Sequence, residues 1–191
     1  MIRPLILASS SPQRRAILEQ LRIPFDVVAP GYVEDDAIGL EPIELVRLHA
    51  EGKARSAASE GRVALGVDTA VVLDGTLYGK PSDLDHAARM LRALAGRTHA
   101  VVSGLCLLGA GLEVVQHGVT DVTFRPLAPE AIAAYVESGE WEGRAGGYAI
   151  QGLGGRLVER IDGDYLNVVG LPGALLIELL ERHAPDFLAA Q

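Results

Sequence analysis

The residues most suited to chemistry in this sequence lie between Gly66 and Pro81, in the stretch GVDTAVVLDGTLYGKP. An apolar run, Val63 to Val67, has the composition of a buried strand and stops at an acid, Asp68, which is followed by a hydroxyl, Thr69. A second apolar run, Ala70 to Leu73, meets Asp74-Gly75, a strong hairpin signal, and the chain returns to Gly79-Lys80-Pro81. The pattern expects an acid at a strand end and a lysine brought back towards it. An acid in such a place can hold a divalent metal or activate water, and a lysine can hold phosphate. A surface hairpin with a solvated Asp and Lys is the other reading of this stretch.

Gly75 to Lys80 superficially suggests a phosphate loop. It is one residue short of GxxxxGK[ST], because Asp74 occupies the required glycine position, and Pro81 stands where Ser or Thr must bind the metal. Ordinary P-loop chemistry is therefore missing.

A second candidate is LASSSPQRR, residues 7–15. A short strand, Leu5 to Ala8, leads into Ser11 as helix N-cap and Pro12 at the first helical position. Arg14 and Arg15 fall in the first turn, where cations oppose the helix dipole. An anion there would offset that opposition; a plain capped helix with solvated arginines is the alternative. Further candidates are the acidic loop Glu34-Asp35-Asp36 and Lys53. The acids are either solvated or a source of metal ligands if the loop folds towards Asp68, and a lysine at that point of a helix is ordinarily a solvent residue.

Composition narrows the classes. The 191 residues suit one domain, with room for a small subdomain, and 49% apolar content is ample for a core. A formal charge of −8 argues against a non-specific nucleic-acid binder. The single cysteine, Cys106, sits in the apolar run VVSGLCLL and reads as buried and structural. The first apolar run ends at Ala8, too short for a secretory signal, and no stretch has the length of a membrane helix. These features give the expectation of a cytoplasmic protein with no membrane partner.

The elements that must position these residues alternate between helix and strand. Phe25–Ala29 reads as a strand. A helix is expected from Glu41 to Ser59 with Leu45 and Leu48 on one face. Another is capped by Ser82, with Leu84, Ala87, Ala88, Leu91 and Leu94 as its stripe. Long strands flank Gly109-Ala110-Gly111, and Pro129–Glu137 is helical. The region from Trp141 to Gly155 is glycine-rich without matching GxGxxG. Strand segments are expected at Arg156–Ile161 and Leu166–Val169, then a last helix from Pro172. This order implies an α/β fold with a mixed central sheet and flanking helices.

Taken together, LASSSPQRR (7–15), the acidic loop, GVDTAV (66–71), GKP (79–81), GGYAIQG (146–152) and GDYLNVVGLP (163–172) resemble the Maf family of nucleoside triphosphate pyrophosphatases over essentially the whole chain. The resemblance implies a single Maf-like domain over residues 1–191, related in fold to the inosine triphosphatases. It also implies a divalent metal (Mg2+, or Mn2+ or Co2+) and commonly a homodimer. It makes Asp68 the catalytic proton acceptor and a metal ligand. Arg14, Lys53 and Lys80, together with the helix start at Ser11, become the phosphate-binding groups, and Asp35, with Glu34 beside it, the acidic metal-site residues. Thr69 and Gln151 match positions tied to base choice in the dTTP/UTP branch, and the 7-methyl-GTP branch is less similar there. Gln13 stands where the family commonly has arginine, at a position linked to substrate choice. A non-catalytic nucleotide-binding regulator of division is the competing class; retention of Asp68 with Lys53 and Lys80 favours the enzyme.

Overall fold

A computed structural model describes residues 3–35 and 39–189. In chain order the elements are β1 (Leu5–Ala8), α1 (Pro12–Gln20), β2 (Phe25–Val28), α2 (Pro42–Ala57), β3 (Ala64–Leu73), β4 (Thr76–Tyr78), α3 (Leu84–Leu94), β5 (Thr98–Gly109), β6 (Leu112–Phe124), α4 (Pro129–Glu137), β7 (Val158–Asp162), α5 (Tyr165–Val169), α6 (Gly173–His183) and α7 (Asp186–Ala189). Among the described residues the strands form one mixed sheet in the order β2-β1-β3-β5-β6-β7, with β4 paired to β3. β1 runs parallel to both β2 and β3, whereas β3–β4 and β6–β7 are antiparallel. The expected mixed α/β architecture is present.

The chain divides into two compact units, and β3, β5 and β6 each contribute to both. The first comprises residues 1–69, 103–118 and 170–191; the second comprises 70–102 and 119–169. In the first, Ile6, Ala8, Ala50, Ala54, Ala57, Ala64, Cys106 and Leu108 form a core of mainly small side chains. In the second, Val71, Leu91, Phe124, Tyr135, Trp141 and Tyr148 belong to a larger, more aromatic core.

Two glycines explain why small residues dominate the first core. A Cβ on Gly66 of β3 would lie 2.0 Å from the Ala50 carbonyl oxygen and 2.7 Å from the Ala54 nitrogen. A Cβ on Gly104 of β5 would lie 2.1 Å from the Val46 carbonyl oxygen. Both strands therefore press bare backbone against α2, a contact closer than any side chain permits. The buried face of α2 is Leu45, Val46, His49, Ala50, Lys53, Ala54 and Ala57, at i, i+4 spacing. Lys53 is thus carried on the packed side of the helix.

Several expectations are corrected. Asp68 does not end a strand: the apolar runs on either side of it are one continuous strand, β3. The polar pair Asp68-Thr69 is accommodated because both side chains find partners, described below. On α2, Leu48 is 40% exposed and does not share the buried face with Leu45. The N-cap of α3 is Asp83, whose Oδ1 accepts from the His86 backbone N–H at 2.7 Å, while Ser82 Oγ donates to Asp83 Oδ2. The helix begins one residue later than Ser82 capping requires, and Leu84 in its first turn is 55% exposed. Leu166–Val169 is part of helix α5 rather than a strand. The Asp164 carboxylate accepts from the Leu166 N–H, and the Asn167 side chain, fully buried, donates to the Val101 carbonyl and Thr120 hydroxyl. Those tertiary bonds outweigh the β-propensity of a valine-rich segment.

Other features stand as expected. Ser11 caps α1, with Pro12 at its start. The β3–β4 turn has Asp74 at φ 51° and Gly75 at φ 75°, the two positive values of a tight hairpin. Cys106 is buried, and burial pushes its thiol pKa up to about 12. Asp36, the third acid of the acidic loop, lies outside the described residues.

Candidate active site

In the first unit, Asp68, Lys53 and Glu34 form one polar centre. Side chains alternate across a strand, so Asp68 shares the face of β3 that presents Gly66 to α2. That close approach sets the carboxylate against the helix. Asp68 Oδ1 accepts from Lys53 Nζ at 2.6 Å, and Glu34 Oε1 lies 2.7 Å from the same Nζ. The Val67 carbonyl oxygen completes the set at 3.5 Å. An ammonium has three protons, and here all three have acceptors. The Lys53 side chain is 6% exposed, Asp68 14% and Glu34 41%, so the cluster is deep on the lysine side and open on the Glu34 side. Sequence pattern alone made Lys53 a solvent residue, and burial on α2 corrects that.

Carboxylate oxygens are the donors that a hard divalent cation takes. Glu34 and Asp68 aim theirs at a common cationic centre, an arrangement that fits Mg2+, which is held by one or two carboxylates together with water and substrate phosphate. Among the described residues no group of three or more His, Cys, Asp and Glu is placed to hold a metal by itself. Asp35 is exposed and is not gathered with Glu34 and Asp68 into such a group.

Thr69 points the other way and joins a second network. Arg14 donates from Nε to the Gly170 carbonyl at 2.9 Å, from Nη1 to Ser9 Oγ at 3.1 Å and from Nη2 to Thr69 Oγ1 at 3.3 Å. The Thr69 hydroxyl also lies 2.9 Å from Ser103 Oγ and 3.3 Å from the Gly170 carbonyl. One hydroxyl proton and two lone pairs are matched by these neighbours. Arg14 is therefore not a solvated first-turn cation: it ties the start of α1 to β3 and to the chain at Gly170. Burial lowers its pKa, and the charges of Asp68 and Glu34 act in the opposite direction. Gln13 lies beside it, its Oε1 accepting from the Ser11 hydroxyl at 3.0 Å, while Ser11 Oγ accepts from the Arg14 backbone N–H.

Lys80 and Gln151 belong to the second unit, and both are exposed. Their segments are joined there, since Gly146 donates its N–H to the Gly79 carbonyl at 3.0 Å. A Cβ on Gly147 would meet Pro81 at 3.6 Å. The GKP and GGYAIQG motifs are thus one structural feature.

Sequence reasoning missed Ser103 and the Gly170 carbonyl as partners of Thr69. A lone serine in the apolar run VVSGLCLL was the available signal for the first; a backbone acceptor leaves none. It also missed Tyr32, whose hydroxyl lies 2.9 Å from His49 Nδ1. Burial, and then the charges of Glu34, Asp68 and Asp35, raise the Tyr32 phenol above its ordinary value.

Comparison with known proteins places this geometry in context. A "dTTP/UTP pyrophosphatase" of Nitratidesulfovibrio vulgaris is 49% identical over 183 residues, covering 94% of this chain and 87% of that protein. Another of that name, from Symbiobacterium thermophilum, is 45% identical over 95% of this chain and 94% of its own length. A solved Ham1 protein of Staphylococcus aureus aligns with 64% of this chain and 72% of that one, at 15% identity and a TM-score of 0.46. The family model described as "Maf-like protein" matches residues 4–183, and the chain belongs to the Maf family.

Proposed function

We propose that this chain, acting as a single domain over residues 1–191, hydrolyses nucleoside triphosphates to nucleoside monophosphate and pyrophosphate, with dTTP and UTP as the favoured substrates. The observation that carries the reading is the convergence of Asp68 and Glu34 on the Lys53 ammonium, in a chain nearly half identical to proteins named dTTP/UTP pyrophosphatase.

Hydrolysis at the α-phosphorus needs an oriented water, a proton acceptor and neutralisation of charge on the phosphate oxygens. Asp68 is the acceptor: its Oδ1 is held by Lys53, which fixes the carboxylate's direction and leaves Oδ2 to receive the water proton. Lys53 supplies positive charge beside it. Glu34 and Asp68 would hold a divalent cation, with Asp35 adjacent in sequence. When bound, that cation would neutralise phosphate charge that otherwise opposes the approach of the nucleophile's lone pair. Lys80 is assigned to the phosphates, together with Ser11 at the start of α1. Arg14 is assigned to the phosphates as well, through the guanidinium protons that Ser9, Thr69 and Gly170 do not take, and it holds Thr69 and the helix start in place. Gln151 and Thr69 are assigned to base choice, Thr69 through the Arg14 network in which its hydroxyl is engaged. A cytoplasmic homodimer with no nucleic-acid or membrane partner completes the reading.

The test is incubation with Mg2+ and a nucleotide panel, followed by chromatography of the products. Monophosphate and pyrophosphate are expected; orthophosphate and diphosphate as the sole products would overturn the assignment.

A further inference from the structure

Tyr32 lies two residues before Glu34, in the loop after β2. Its hydroxyl is 2.9 Å from His49 Nδ1, and the two rings are tilted at 57° with centroids 5.7 Å apart. His49, on the buried face of α2 and 1% exposed, is one helical turn before Lys53. Between them stands Gly52. A Cβ at that position would lie 2.3 Å from Tyr32 Cε2 and 2.6 Å from Cδ2 and Cζ. The Tyr32 ring is therefore seated on bare helix backbone, in a place that any side chain at residue 52 would fill. Glycine in the middle of a helix is otherwise unfavourable; here the missing methyl group is what admits the ring.

The loop thus meets α2 at two points one turn apart, Tyr32 at His49 and Glu34 at Lys53. They differ in strength. The Glu34 side chain is 41% exposed, and an ion pair open to water on one side contributes little towards ordering a loop against its backbone entropy. The half-buried aromatic ring, with its hydroxyl paired, supplies the anchoring that the carboxylate cannot.

We propose that Tyr32 is a positioning residue: seated over Gly52 and bonded to His49, it clamps the acidic loop to α2 and so delivers the Glu34 carboxylate to the Lys53 ammonium. Its consequence for turnover rests on the hydrolase reading above, whereas the clamp itself does not.

Gly52→Ala is the most informative variant, because alanine favours the helix while its methyl group expels the ring. Amide hydrogen exchange over residues 32–35 is the first readout and kcat with KM the second. In Gly52→Ala and in Tyr32→Ala, exchange in the loop is expected to accelerate about tenfold or more while α2 keeps its protection. In both, kcat falls roughly tenfold with a smaller change in KM. Tyr32→Phe retains the ring and is expected to recover most of the protection. Unchanged loop exchange in Gly52→Ala and Tyr32→Ala would overturn the clamp whatever the activity. Faster exchange with unaltered kcat would overturn its role in positioning Glu34. A wild-type protein that releases no pyrophosphate refutes the hydrolase reading instead, and leaves the exchange result to decide the clamp.

Discussion

Asp68 Oδ1 and Lys53 Nζ stand 2.6 Å apart, and the lysine is the more deeply buried of the two. The carboxylate is thus held by a cation packed on the buried face of α2. Asp68→Asn keeps size and an oxygen acceptor for Lys53 but removes the basic carboxylate. Turnover should fall by about 10²–10⁴-fold, the usual contribution of a general base, with the fold retained and a fall in melting temperature smaller than that of Lys53→Met, because the amide oxygen still accepts from Lys53. Steady-state kinetics beside a thermal melt checks this, and near-normal turnover would exclude Asp68 as the acceptor.

Lys53→Met should cost stability as well as activity. It leaves the Asp68 and Glu34 carboxylates without their shared partner, a loss of about 1.5–3 kcal/mol for hydrogen bonds to charged groups. Urea unfolding of the single variants and of Lys53→Met/Asp68→Asn measures the coupling. The double variant should lose less than the sum of the two; strict additivity would mean that the pair does not interact in solution.

Gly66→Ala should destabilise the first unit by roughly 1–3 kcal/mol through overpacking, because its methyl group would lie 2.0 Å from the Ala50 carbonyl oxygen. A lower urea midpoint, accompanied by slower turnover as Asp68 withdraws from Lys53, is the expected result. An unshifted midpoint would mean that β3 and α2 separate without penalty.

These three residues show what was legible in the sequence. Asp68 and the hairpin at Asp74-Gly75 were readable because an acid and a turn dipeptide interrupt apolar runs. The continuation of β3 through Asp68-Thr69 was not, because it depends on Lys53 and Arg14 reaching the two polar side chains from distant positions in the chain. Lys53 looked like a surface residue because a buried cation is recognised only by its partners, and Glu34 lies on a loop with no periodicity of its own. Helix α5 was hidden for a similar reason: Asn167 holds it through Val101 and Thr120. The resemblance to a family could mark Arg14, but not that each of its three guanidinium nitrogens donates to one of the protein's own acceptors.

His99 supplies a pH dependence separate from catalysis. It is 2% exposed in the second unit, with Nε2 2.9 Å from the Tyr148 hydroxyl and Nδ1 buried without a hydrogen-bond partner among the described residues. Burial lowers its pKa from 6.5 to about 4. The unfolded chain takes up a proton below pH 6.5 that the folded chain refuses until about pH 4. Stability from this group is therefore full above that window and lost as pH falls through it, by an amount on the order of 3 kcal/mol. Urea unfolding at neutral and mildly acidic pH should show a shallower pH dependence for His99→Gln than for wild type; equal slopes would place the acid sensitivity elsewhere.

Gln13 is the test of substrate range. Its amide oxygen is engaged by the Ser11 hydroxyl, and a neutral amide cannot reproduce the bidentate contacts of the arginine common at this position in the family. Wild type should therefore discriminate less sharply for dTTP and UTP than Gln13→Arg. Measuring kcat/KM over dTTP, UTP, CTP, GTP and 7-methyl-GTP for both proteins decides it, and identical profiles would show the substitution to be neutral.

The bond from Arg14 to the Gly170 carbonyl spans 156 positions of sequence. During synthesis the guanidinium emerges early, and its acceptor does not exist until most of the chain has been made. At translation rates of about 5–20 residues per second, the interval is roughly 8–30 s. Through that time the start of α1 and the Thr69 segment lack one of the groups that join them, and the nascent first unit cannot be completed. A ribosome stalled before residue 170 would thus carry a chain with Asp68 and Lys53 already made but the Arg14 network still open.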